Sequence, residues 1–163
     1  MTTRRTFLGT LGAALLGAGA AGTLRAQMSA PAGSVQKVNR PESEWRKLLT
    51  PAQFSVLRQE GTERPGSSPL DHEHRKGTFV CAACDLALFT SDMKFDSGTG
   101  WPSFFTYVNG HLETKVDYKM IVPRTEYHCA RCGGHQGHVF DDGPAPTGLR
   151  YCNNGVALKF IPA

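Results

Sequence analysis

The chain has 163 residues, with 18 lysines and arginines against 14 aspartates and glutamates and a formal charge of +4 at pH 7. Residues 1–27 hold Arg4, Arg5 and Arg25 and no acid, so without them the 18 basic residues fall to 15 against 14 acidic ones and the charge to +1. No dense Lys/Arg run remains, which removes the electrostatic basis for a nucleic-acid or membrane-surface binder. What is left is the size of one domain, with a modest core that a structural metal would help to stabilise.

The first element is Thr3-Arg4-Arg5-Thr6-Phe7-Leu8 followed by an uncharged Gly/Ala-rich stretch to Leu24. This reads as a twin-arginine export signal over 1–27, cleaved between Leu24 and Ala32, with a periplasmic or other extracytoplasmic destination. The alternative is a retained membrane anchor, against which stand five glycines between Phe7 and Leu24. Residues 28–40 are a linker by composition, and 41–163 form the domain. Within it, Glu42 to Leu49 and Pro51 to Glu60 read as short helices. The second is opened by Thr50 as N-cap, Pro51 at the first position and Gln53 completing a capping box, and is ended by Gly61. Residues 62–76 make a long loop. Strands follow at Thr78 to Val80, Ala87 to Phe89, Leu112 to Val122, Thr125 to His128 and Val156 to Ile161, with alternation clearest at Val116, Tyr118 and Met120. Asn109-Gly110 and Asp142-Gly143-Pro144 separate them as turns. The expected fold is a compact, mainly antiparallel β domain with short N-terminal helices.

Five cysteines carry the chemistry. Cys81/Cys84 and Cys129/Cys132 form two C-x-x-C pairs, which together match one tetrahedral structural zinc site. Two redox dithiols are the alternative. A deaminase-type catalytic zinc is disfavoured, because its H-x-E plus P-C-x-x-C pattern is absent: Val80 and His128 stand where that motif has proline. Four sulfur ligands leave zinc no open position, so reaction chemistry falls to Cys152, beside Arg150 and Asn154, neighbours that favour thiolate. His135 and His138, three apart, include a proton-transfer candidate. Trp101 and Phe104, in a Gly/Pro-rich segment, are candidates to line a small apolar pocket, with core packing as the alternative.

These motifs are similar to those of the peptide methionine-R-sulfoxide reductases, the MsrB or SelR-like family. The likeness runs from about Leu49 to Pro162. It rests on Gly61-Thr62-Glu63-Arg64-Pro65, on Lys94 to Phe104, on Gly137-His138-Val139-Phe140-Asp141-Asp142-Gly143-Pro144 and on Pro146 to Cys152. The resemblance implies structural zinc on Cys81, Cys84, Cys129 and Cys132, and Cys152 as the nucleophile that becomes a sulfenic acid. It implies His138 as acid, His135 and Asn154 orienting substrate or water, Trp101 against the S-methyl group, and Arg150 favouring thiolate. Oxidised proteins or peptides are the implied substrates, and a monomer is expected. Many members carry a resolving cysteine where this chain has Thr99, so an external thiol, thioredoxin-like or of low molecular weight, is the expected reductant. From other classes, a zinc-stabilised binding module with an inert Cys152, or a C-x-x-C disulfide oxidoreductase, are the competing readings.

Overall fold

Helix α2 (Pro51–Gln59) starts as its sequence dictates. Thr50 Oγ1 accepts from Gln53 N at 3.2 Å, and Gln53 Oε1 accepts from Thr50 N at 3.1 Å. The computed structural model to which this belongs describes residues 35–119 and 121–163. The export signal, residues 28–34 of the linker and Met120 therefore lie outside the described residues. At its other end α2 stops on Glu60, which itself takes the left-handed conformation, φ 55°. Gly61, expected to end the helix, is instead needed for closeness: a Cβ there would lie 2.9 Å from Ser55 Oγ. The preceding α1 (Glu42–Leu48) buries Trp45, over which Arg58 of α2 lies at 5.1 Å. Residues 35–40, read as linker, lie against the body. Val35 and Val38 pack on the core, and Val38 N donates to Arg131 O at 2.7 Å. Among the described residues, no helix is long and apolar enough to cross a membrane.

Nine strands follow among the described residues: β1 Gly77–Cys81, β2 Ala87–Thr90, β3 Lys94–Phe95, β4 Ser103–Phe104, β5 Leu112–Asp117, β6 Arg124–Cys129, β7 His135–Phe140, β8 Arg150–Asn153 and β9 Leu158–Pro162. They pair antiparallel in two sheets, in the orders β2-β1-β9 and β3-β4-β8-β7-β6-β5. The mainly antiparallel β fold with N-terminal helices is thus as expected. Aromatic rings fill the space between the sheets. Phe89 stacks on Phe104 at 3.9 Å, and Phe79 and Tyr127 meet this pair edge-on. All four are fully buried.

Three strand expectations shift. The strand expected over 112–122 ends at Asp117, whose Oδ1 accepts from Lys119 N at 2.9 Å and turns the chain. Val116, on the edge strand β5, and Tyr118, just beyond its end, both face water. Residues 155–157 are a 3-10 turn rather than the start of β9, because the N–H groups of Gly155 and Val156 donate to the Glu63 carboxylate. Finally, β7 and β8 have few β-branched residues and were not expected at all. They carry most of the site.

Candidate active site

The β6–β7 ladder contains one extra residue. Tyr127 pairs with Gly137 but His128 with His135, so Gln136 is inserted as a bulge. In an unbroken strand, residues three apart face opposite sides. The bulge returns His135 and His138 to one face, with ring centroids 5.4 Å apart. On the other edge of β7, His138 stands opposite Cys152 and Phe140 opposite Arg150. Gly137 permits this pairing, since a Cβ there would come within 1.9 Å of Cys152 O.

A cavity of about 120 Å³ opens at this pairing, lined among others by Cys152, His138, Trp101, Arg124, Phe140 and Asn154. Trp101 is anchored by its indole N–H donating to Glu63 O at 3.2 Å. It follows Gly100, whose φ of 85° and approach to Pro65 admit no side chain. Thr99, its hydroxyl 2.8 Å from Ser97 Oγ, is near enough to Cys152 to act on its thiol. His138 Nε2 lies 2.9 Å from Asp117 Oδ2, which Arg124 also meets at 2.6 Å. The Lys119 backbone N–H first, then His138 and Arg124, hold the Asp117 carboxyl well below its usual range. An ionised Asp117 only accepts, so Nε2 carries the hydrogen and Nδ1 is the nitrogen left for a ligand.

Cys152 departs from its flanks' promise of a thiolate. Burial pushes its thiol above the ordinary value, outweighing the Arg150 charge and the Thr99 hydroxyl, which lower it. Arg150 is largely engaged elsewhere. It is forked onto Asp142 by two bonds of 2.8 Å and lies over the Phe140 ring at 4.3 Å. Only thiolate alkylates, so Cys152 should react with iodoacetamide more slowly at neutral pH than a cysteine in an unstructured peptide. Its rate should climb about tenfold per pH unit well into the alkaline range. A pH series on the metal-loaded protein checks this, and a plateau near neutrality would contradict it.

Not every expected residue meets the cavity. Phe104 is fully buried against Phe89 and lies in the core, the alternative weighed for it. His135 is 1% exposed and lies behind His138, outside the cavity wall. Asn154 reaches the wall with both ends of its side chain engaged: Nδ2 donates to Gln136 O at 2.9 Å and Oδ1 accepts from Glu63 N at 3.0 Å. The residues not foreseen are Asp117, Arg124, Glu63 and Asn153. Fully buried Asn153 accepts from Tyr127 OH at 2.8 Å and holds the strand beneath Cys152.

The four remaining cysteines converge. Each knuckle closes with a left-handed residue after its second cysteine, Asp85 at φ 58° and Gly133 at φ 66°. The Sγ separations are 3.7 Å for Cys81–Cys132 and 3.4 Å for Cys84–Cys129. A tetrahedral ion with Zn–S bonds of about 2.3 Å has sulfur–sulfur edges of about 3.8 Å, so the cluster fits a metal. Gln136 Nε2, carried in by the bulge, donates to Cys81 Sγ at 3.4 Å, as partners behind metal thiolates do.

The SelR domain family matches residues 49–162. The chain belongs to the SelR domain family. Relatives named peptide methionine sulfoxide reductase MsrB align along most of this SelR domain. That of Bradyrhizobium diazoefficiens is 54% identical over 127 residues, 77% of this chain and 91% of the relative. That of Methanosarcina barkeri is 54% identical over 124 residues, covering 76% and 87%. That of Agrobacterium fabrum is 53% identical over 127 residues, covering 77% and 94%. The matched span of the SelR domain takes in α2, both knuckles and the whole Cys152 cavity, and leaves α1 outside.

Proposed function

We propose that this SelR domain reduces methionine-R-sulfoxide in oxidised peptides and proteins to methionine, with Cys152 as nucleophile and His138 as proton donor. The observation that carries the reading is the cross-strand pairing of Cys152 with His138 in a cavity walled by Trp101. At about 120 Å³ the cavity lies below the range of whole-ligand pockets and suits the end of one side chain of a longer substrate. With the S-methyl group against Trp101, the oxygen toward His138 and the chain leading outward, three unlike directions at a chiral sulfur select one epimer.

His138 Nδ1 takes the Cys152 thiol proton and gives it to the sulfoxide oxygen as the Cys152 sulfur attacks the sulfoxide sulfur and a sulfur–sulfur bond forms. The oxygen then passes to Cys152 as the new sulfur–sulfur bond and the substrate's sulfur–oxygen bond break, leaving a sulfenic acid on Cys152 and releasing methionine; the cysteine sulfur has lost the two electrons the substrate gained. An external thiol then displaces water to form a mixed disulfide, and a second thiol releases Cys152. Asn154 orients by tying Glu63, and with it Trp101, to β7. His135 acts through the His138 ring against which it packs, and Arg150 through the charge it presents to the thiol. A zinc ion on Cys81, Cys84, Cys129 and Cys132 would supply a structural cross-link, with no open position for substrate. The domain acts as a monomer. The twin-arginine pattern supports repair of exported proteins: a reporter fused to residues 1–27 should leave the cytoplasm only while Arg4 and Arg5 are intact.

His138→Ala should lower kcat by about 10²–10⁴-fold with little change in KM, the scale of a lost general acid. An unchanged kcat with sulfoxide substrate would remove His138 from the mechanism. Because Thr99 stands where many members of the family carry a resolving cysteine, and acts on the Cys152 thiol, Thr99→Cys should create an internal resolving thiol. One turnover without reductant should then cross-link positions 99 and 152, as peptide mapping under non-reducing conditions would reveal. A sulfenic acid persisting in that variant would contradict the shared geometry. The reading as a whole is tested by incubating each sulfoxide epimer with the protein and a dithiol.

A further inference from the structure

The bulge that aligns the two histidines of β7 also builds a second cluster behind them, away from the thiol. Glu126 and His128, two apart on β6, face the same way, and His135 stands opposite His128. His135 Nδ1 lies 3.1 Å and His128 Nε2 3.8 Å from the same oxygen, Glu126 Oε2. One ligand atom from each of the three lies within 4.8 Å of the others. Glu126 and His135 are buried, at 3% and 1% exposure, and both His128 and His135 are on the wall of a cleft of about 300 Å³ that opens to solvent.

Two features show that the cluster is not satisfied by its own side chains. Both ring nitrogens of His135 are buried without a hydrogen-bond partner among the described residues, the Nδ1 contact with Glu126 being close but misaligned. Leaving such a group unpaired is costly. Glu126, in turn, spends only one oxygen on its lysine: Lys115 Nζ lies 2.9 Å from Oε1, leaving Oε2 between the imidazoles. Lys115 also pairs with Glu60, so the charges around the cleft are mixed and do not bar a cation.

We propose that Glu126, His128 and His135 form a second metal site, open on the cleft side, for a divalent transition-metal ion such as zinc or cobalt. Two imidazoles and a carboxylate are the donor set such ions take. Ligand bonds of about 2.1 Å require ligand edges of about 3.0–3.4 Å. The Glu126–His135 edge already meets this, and a movement of the His128 ring closes the other two, 3.8 Å to Glu126 and within 4.8 Å to His135. The remaining positions face the cleft, where water or a small anion completes the shell. This site shares no ligand with the four-cysteine cluster, and its occupancy does not depend on the reductase reading.

The test is Co²⁺ titration of the full chain with its four-cysteine site already filled with zinc. One further equivalent should bind, with visible d–d bands and no thiolate-to-cobalt charge transfer. The same bands should be lost in His128→Gln, whose zinc content and melting temperature remain those of the parent. In the unsubstituted protein, bound Co²⁺ should broaden the ring proton signals of His128 and His135 and spare those of His72, His74 and His111. No further equivalent, bands that persist in His128→Gln, thiolate charge transfer, or broadening centred on His72 and His74 would each overturn the site. The broadening experiment decides the matter even if His128→Gln does not fold.

Discussion

Cys152→Ser should abolish sulfoxide reduction while the metal content and the melting temperature stay those of the parent. Serine keeps the side-chain size in a half-buried position beside Thr99, so packing changes little. Its hydroxyl ionises far less readily than a thiol, and an oxygen at that position cannot take up the sulfoxide oxygen as a sulfenic acid. The loss should be roughly 10⁴-fold or more, the scale on which removal of a covalent nucleophile is felt. Turnover with either epimer, measured beside zinc content and thermal unfolding, checks it. Retained activity would move the nucleophile to one of the knuckle cysteines and revive the C-x-x-C oxidoreductase reading. Equal inactivity of the parent protein would favour a binding module.

Cys81→Ser should do the reverse, acting on the fold before the chemistry. Cys81 closes β1 in the three-stranded sheet, while Cys129 closes β6 in the six-stranded one and Cys132 precedes β7. A metal on these sulfurs therefore ties the two sheets together at their shared end. Structural zinc binding is worth on the order of 10 kcal/mol, comparable with the whole stability of a domain, about 5–15 kcal/mol. Loss of a fully buried ligand also strands Gln136, whose amide donates to that sulfur. The variant should lose its metal and unfold at or below room temperature, and a chelator strong enough to strip the parent should unfold it likewise. Circular dichroism with metal analysis reads both. A folded, metal-free Cys81→Ser would mean that the sulfur cluster is not what joins the sheets.

The contrast between these substitutions was legible from five cysteines and their spacing, because C-x-x-C knuckles and capping boxes are local patterns. So was α2, whose Thr50, Pro51 and Gln53 act within one turn. What stayed hidden depends on distant partners. Asp117 lies 21 positions before His138 and reaches it only through the β5–β6–β7 ladder. Glu63 acts 91 positions from Asn154. Strands β7 and β8 escaped notice because Gly137, His138, Asn153 and their neighbours serve the site where β-branched residues would mark a strand. Trp101 and Phe104 share one aromatic segment, yet β4 turns the second into the core; composition could not separate them. Arg150 beside Cys152 promised a thiolate, but the Asp142 fork that occupies the arginine and the burial of the thiol are tertiary facts.

The most direct test of the account follows the two epimers of a methionine sulfoxide peptide separately, with the metal-loaded domain and a dithiol. The R epimer should disappear with the formation of methionine, one per disulfide produced, while the S epimer persists. Consumption of both at equal rates, or of neither with any dithiol, would contradict the assignment of Cys152, His138 and Trp101 to a sulfoxide site.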